Sequence, residues 1–128
     1  MSQRSLVAVI DDDDSVRESL PDLLDELGFA SRAFESAEAF LASGYLDRAH
    51  CLVLDVAMPG MTGPELQLEL ERRRQNIPIV FISANTDEDL CPRLLEQGAV
   101  ACLSKPFTDT ALLAALRDAL ETQPRRAR

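Results

Sequence analysis

The sequence predicts an α/β fold in which a doubly wound parallel sheet of five strands is covered by helices on both faces. Two observations carry this. Short runs of strand length alternate with segments whose apolar residues recur at helical spacing, and the runs are apolar throughout instead of at every second position, as strands buried on both sides require. Short connections and right-handed crossovers then favour the open sheet over a closed barrel, which needs more units. At 128 residues and 46% hydrophobic composition the chain is long enough for one domain with its own core. Residues 1–122 are expected to form it, with residues 123–128 as a tail or linker stub.

The first strand is Leu6-Val7-Ala8-Val9-Ile10, which ends abruptly in Asp11-Asp12-Asp13-Asp14. From Ser15 the period changes: Val16, Leu20, Leu23, Leu24 and Leu27 share a helical face and Gly28 stops it. Asp13 or Asp14 can cap this helix, and Pro21 inside it removes a backbone donor, which predicts a bend. A weaker strand over residues 29–34 leads to a short helix over 36–42, and residues 45–50 form a connection. The third strand runs from Cys51 through Asp55 to Val56, and its exit Ala57-Met58-Pro59-Gly60-Met61-Thr62-Gly63 is a sharp loop. Pro64 suits the first turn of the next helix, which carries Leu66 and Leu70. A fourth strand over residues 77–82 stops at Ser83-Ala84-Asn85. The helix over residues 87–97 is compromised by Pro92 and ends at Gly98. A short fifth strand over residues 100–104 meets Lys105-Pro106-Phe107. The last helix, residues 109–121, buries Leu112, Leu113, Leu116 and Leu120.

Composition narrows the function. A net charge of −9 argues against direct nucleic-acid binding, which needs a positive surface against phosphates; Arg72-Arg73-Arg74 and the terminal arginines read as a solvated helix end and a linker. No apolar run approaches membrane-spanning length and no signal-peptide pattern opens the chain, so the expected address is cytoplasmic. Cys51, Cys91 and Cys102 are odd in number and lack CxxC spacing, so buried reduced thiols are expected instead of a disulfide or zinc site. The lone His50 is expected to be incidental, and Met58 and Met61 to be loop and packing residues. Lys105 is the only lysine among thirteen basic residues, which asks what its compact ammonium touches.

In an open parallel sheet the binding crevice lies beyond the carboxyl ends of the strands. The polar residues at those ends are Asp11, Asp12, Asp55, Ser83 and Lys105, and all are expected at one edge. Clustered carboxylates repel one another unless they take up protons or hold a cation. Oxygen-only donors suit Mg²⁺, with Mn²⁺ as a substitute. Lys105 can approach an anion carried by one carboxylate, with the Ser83 hydroxyl and backbone N–H groups assisting. These are the parts of phosphoryl transfer, with Asp55 as the nucleophile, already ionised at neutral pH.

From Val7 to about Leu120 the chain resembles the response-regulator receiver domains of two-component signalling. The resemblance rests on Val9-Ile10-Asp11-Asp12-Asp13, on Leu54-Asp55-Val56-Ala57-Met58-Pro59-Gly60-Met61-Thr62-Gly63, on Ile82-Ser83-Ala84 and on Lys105-Pro106-Phe107, in that order. The wording of residues 51–66 is most similar to FixJ-like receivers, which usually precede a helix-turn-helix output domain of LuxR type. The resemblance implies a flavodoxin-like fold with strand order 2-1-3-4-5. It implies that Asp55 accepts a phosphoryl group from a sensor histidine kinase, and that Asp12, Asp55 and the Ala57 carbonyl hold Mg²⁺, with Asp11 reaching it through water. Ser83, Lys105 and the Ala84 amide would bind phosphoryl oxygens, the Lys105-Pro106 bond would be cis, and Asp13 and Asp14 would serve solvent and capping. A homodimer through the last two helices and fifth strand is also implied.

Two departures stand out. Cys102 occupies the fifth-strand position, three before the lysine, where the family commonly has an aromatic residue that reports phosphorylation, and Pro92 falls in the helix often used for dimerisation. A phosphorylation-independent interaction module is therefore one rival. A Mg²⁺-dependent aspartyl phosphatase is another, but such enzymes typically carry Asp-x-Asp after the first strand and a cap domain. Here Asp55 is followed by Val56 and Ala57. An EF-hand is excluded, because the run after Asp11 lacks its glycine and terminal glutamate.

Overall fold

A computed structural model describes residues 4–84 and 89–121. The elements are β1 (Leu6–Ile10), α1 (Asp14–Glu26), β2 (Ala30–Phe34), α2 (Ala37–Ala42), β3 (Cys51–Asp55), α3 (Gly63–Arg72), β4 (Ile79–Ser83), α4 (Leu90–Glu96), β5 (Ala101–Ser104) and α5 (Asp109–Glu121). All five strands are parallel, in the order β2-β1-β3-β4-β5, as expected. The expected first residue of the fourth helix, Asp87, and the expected tail over 123–128 lie outside the described residues.

Successive side chains of a strand point to opposite faces, and the sheet divides its core accordingly. Val7, Val9, Val53, Val80 and Ile82 meet Leu20 and Leu24 of α1 and Leu112 and Leu116 of α5. Ile10, Leu52, Leu54 and Phe81 meet Phe40 of α2, Leu66 and Leu70 of α3 and Leu94 of α4. β1, β3 and β4 are central, and β3 and β4 are buried at every position. β2 and β5 are edge strands, which explains the weak signal of the second.

Local chemistry sets the element ends. Asp13 caps α1, its carboxylate accepting from the Ser15 N–H at 2.8 Å. Thr62 and Glu65 form a reciprocal capping box on α3. α1 runs unbroken through Pro21. The α5 stripe differs from expectation, with Ala115 and Ala119 fully buried beside Leu112 and Leu116 while Leu113 and Leu120 are partly buried; small residues let α5 lie close to the sheet. His50 joins the sheet's amino edge, its Nδ1 accepting from the Leu6 N–H at 3.0 Å. Met58 is buried as a packing residue.

The cysteine expectation holds for one residue of three. Cys51 is a buried free thiol, and burial pushes it up to about 12. Cys91 and Cys102, expected to be reduced, are joined by a disulfide. They come together because α4 packs beside β5, a proximity that a separation of 11 residues does not reveal.

A candidate phosphoacceptor site at the carboxyl edge of the sheet

Because the strands are parallel, every one of them ends at the same edge. β1 delivers Asp11 and Asp12, β3 ends in Asp55, β4 ends in Ser83, and β5 leads into Lys105. The direction of the winding changes between β1 and β3, so the acids flank the crevice where such sheets bind ligands. Neighbouring backbone bonds hold these ends in place. Asp11 N–H donates to the Phe34 carbonyl at 3.1 Å, Val56 N–H to Ile82 at 3.1 Å, and Lys105 N–H to Ser83 at 2.8 Å.

The carboxylates of Asp11, Asp12 and Asp55 each offer an oxygen within 4.8 Å of the others. Asp11 is fully buried, Asp55 nearly so at 6% exposure, and Asp12 is exposed. The Lys105 ammonium donates to Asp11 at 2.9 Å and stands 3.8 Å from Asp55. Asp11 also accepts the Asp13 N–H at 2.9 Å. Ser83 is buried one position beyond Ile82, the register partner of Asp55. Ala57 lies two residues beyond β3 and Ala84 follows directly on β4, and both are exposed. The Lys105-Pro106 bond is cis, and Asp13 and Asp14 serve as cap and as ion-pair partner of Arg17.

Lys105 is held above the usual lysine range: burial pulls its pKa down, but the hydrogen bond to Asp11 and the charges of Asp11, Asp55 and Asp13 outweigh this. Asp55 is pushed up to about 7, first by burial and then by the charge of Asp11, with Lys105 and the Ala57 N–H pulling the other way. The expectation that Asp55 is fully ionised at neutral pH therefore does not hold for the side chains alone. Lys105 directs its hydrogen bond to Asp11 and leaves the cluster short of positive charge. An all-oxygen donor set with this deficit fits a hard divalent cation.

Two supporting residues escape sequence reasoning. A Cβ on Gly63 would meet the Asp55 carbonyl, the Phe81 ring at 3.0 Å and Val56 Cα at 3.1 Å, so only glycine lets α3 start against the end of β3. Glu38 of α2 accepts the Met61 N–H at 3.0 Å beneath Gly60, whose φ is 74°, and so tethers the loop that follows Asp55. A glycine before a proline hints at the first; nothing local signals the second.

Fold and pocket together define a class: a doubly wound domain with an acidic pocket and a paired lysine at its switch point. The model of the response regulator receiver domain matches residues 7–117. Nodulation protein W of Bradyrhizobium diazoefficiens is 42% identical over 125 residues, covering 98% of this chain and 55% of that protein. The transcriptional regulatory protein FixJ of Azorhizobium caulinodans is 45% identical over 115 residues, covering 89% and 54%. Among solved structures, the N-terminal part of FixJ superposes with a TM-score of 0.83 at 37% identity, covering 94% of this chain and 96% of that one. The chain belongs to the response-regulator receiver family. It spans about half the length of the relatives it matches.

Proposed function

We propose that the chain is a phosphorylation-activated receiver that takes a phosphoryl group on Asp55 from a sensor histidine kinase in a Mg²⁺-dependent reaction. The observation that carries this is the convergence of Asp11, Asp12 and Asp55 within 4.8 Å, with one lysine 3.8 Å from Asp55.

Asp11, Asp12, Asp55 and the Ala57 carbonyl would hold the ion, Mn²⁺ substituting for Mg²⁺. Bound there, it would offset negative charge on the acids and on the transferring oxygens. An Asp55 carboxylate oxygen attacks phosphorus and becomes an acyl phosphate as the bond to the donor nitrogen breaks. Lys105 is close enough to pair with a phosphoryl oxygen once one is attached to Asp55, while the Ser83 hydroxyl and Ala84 N–H donate to the others. The chain is a signalling phosphoacceptor, with self-catalysed transfer and slow autodephosphorylation only, and not an enzyme turning over a small substrate.

Residues 1–122 form the receiver in this reading, and 123–128 a tail or linker. The relatives named transcriptional regulators support an output in transcription, through an attached or partner domain, with no direct nucleic-acid contact by this chain. The site of action is cytoplasmic; among the described residues no helix is long and apolar enough to cross a membrane. Phosphorylation biases α4, β5 and α5 as a switching surface that can also meet a second copy of the chain.

Incubation with a small phosphodonor and Mg²⁺ should add one phosphoryl mass, absent in Asp55→Ala. A label that survives that substitution, or that never forms on the folded chain, sinks the reading.

A further inference from the structure

Resting on the receiver reading, we propose that Cys91 and Cys102 form a redox site that couples a low-molecular-weight thiol–disulfide pool to the phosphorylation switch. The disulfide joins α4 directly to β5. Its Cα–Cα distance of 5.6 Å is ordinary for a bridge, so no backbone shift is needed to form it. Both residues are half-buried, within reach of a small thiol, in contrast to Cys51, which is fully buried. In a reducing cytoplasm a persistent structural disulfide is uncommon, and the ones that form are typically transient or sensing.

The position gives the bond its leverage. Of the α4 side chains only Leu94 is fully buried, with Leu90 partly buried beside it, and the covalent tie adds a direct link from this lightly buried helix to the sheet. Cys102 is the register partner of Phe81, two residues before Ser83, and stands three residues before Lys105. A single bond therefore spans the strand leading to Lys105 and the helix that follows Ser83. It coexists here with Lys105 paired to Asp11, which marks the bonded form as compatible with the resting arrangement. Reduction releases α4 and lowers the cost of leaving that arrangement; oxidation raises it.

The chemistry balances through thiol–disulfide exchange. A small thiolate attacks one cysteine sulfur and breaks the Cys91–Cys102 bond, giving a mixed disulfide and a cysteine thiolate that takes up a proton. A second thiolate attacks the mixed disulfide, expels the other cysteine and leaves as the small-molecule disulfide. Two small thiols are oxidised and the cysteine pair gains two electrons and two protons; the reverse reaction re-forms the bond.

The test equilibrates the whole chain with glutathione at graded thiol-to-disulfide ratios, quenches with an alkylating agent and reads mass. Cys91 and Cys102 should become alkylated together as the thiol fraction rises, while Cys51 stays unmodified until unfolding. Alkylation at every ratio, or at none, overturns the site. Phosphodonor labelling of Asp55 should then be slower in the oxidised chain, by on the order of fivefold. Amide exchange in α4 should slow along with it. A Cys91→Ser/Cys102→Ser double variant should follow the reduced rate under both conditions. Equal labelling and exchange in both redox states overturns the coupling and leaves the phosphoacceptor reading intact, whereas no label in either state overturns both.

Discussion

The site is assembled from two unlike halves. On one side β1 and β3 run through the centre of the sheet, and Asp11 and Asp55 emerge from strands buried at almost every position. Gly63 closes α3 onto the end of β3, and Glu38 ties down the loop beyond. On the other side β5 is an edge strand, partly buried at best, and α4 is short and buries a single side chain. The difference teaches a division of labour. The carboxylates must be held close in spite of their repulsion, which takes a rigid frame, whereas a responding surface needs elements whose local opening costs little.

The largest test of this contrast places the same cut in the same core cluster. Leu54 on β3 and Leu94 on α4 both pack in the cluster beneath α3. Leu54→Ala should cost about 3–5 kcal/mol of global stability and Leu94→Ala about 2 kcal/mol, because a lightly held helix can settle over its cavity. Denaturant unfolding reads the totals, and native-state hydrogen exchange should confine the Leu94 loss to α4. Equal global losses would break the comparison.

Gly63→Ala should destabilise by about 1–3 kcal/mol, the usual range for forced overpacking, because the contacted atoms belong to backbone and to a buried ring. A neutral result in the same unfolding experiment would mean that the rigid half can give way.

The smallest effect is a slope. The Asp55 pKa is raised from the ordinary 3.8 to about 7, so between these values the folded chain binds more protons than the unfolded one. The Asp55 contribution to stability without divalent ions, read as the difference from Asp55→Asn, should fall as pH rises from about 4 to 7 and level off outside that window. Saturating Mg²⁺ should flatten the slope; thermal melts in chelator and in Mg²⁺ check it. A rising limb in chelator that disappears in Asp55→Asn would reverse the assigned sign.

Much of this was legible without coordinates. The apolar runs and their polar ends told where strands stop, and parallel topology alone sends all those stops to one edge, so the acids, Ser83 and Lys105 could be named together. Other features had no local signature. Pairing Cys91 with Cys102 takes α4 lying beside β5, and the Glu38 tether takes α2 lying beside the β3–α3 loop. The raised Asp55 pKa takes burial at the end of β3 first, and then closeness to Asp11.

By itself the sequence determined which runs form the buried strands, which way the backbone turns and which chemical groups stand at the strand ends, because these follow from hydrophobic period, glycine and proline sterics, and side-chain type. Only the tertiary structure decided which cysteines bond, how the acids share one ammonium and how loosely α4 is held. Those depend on distances between elements far apart in the chain, and distance governs both covalent reach and electrostatic energy.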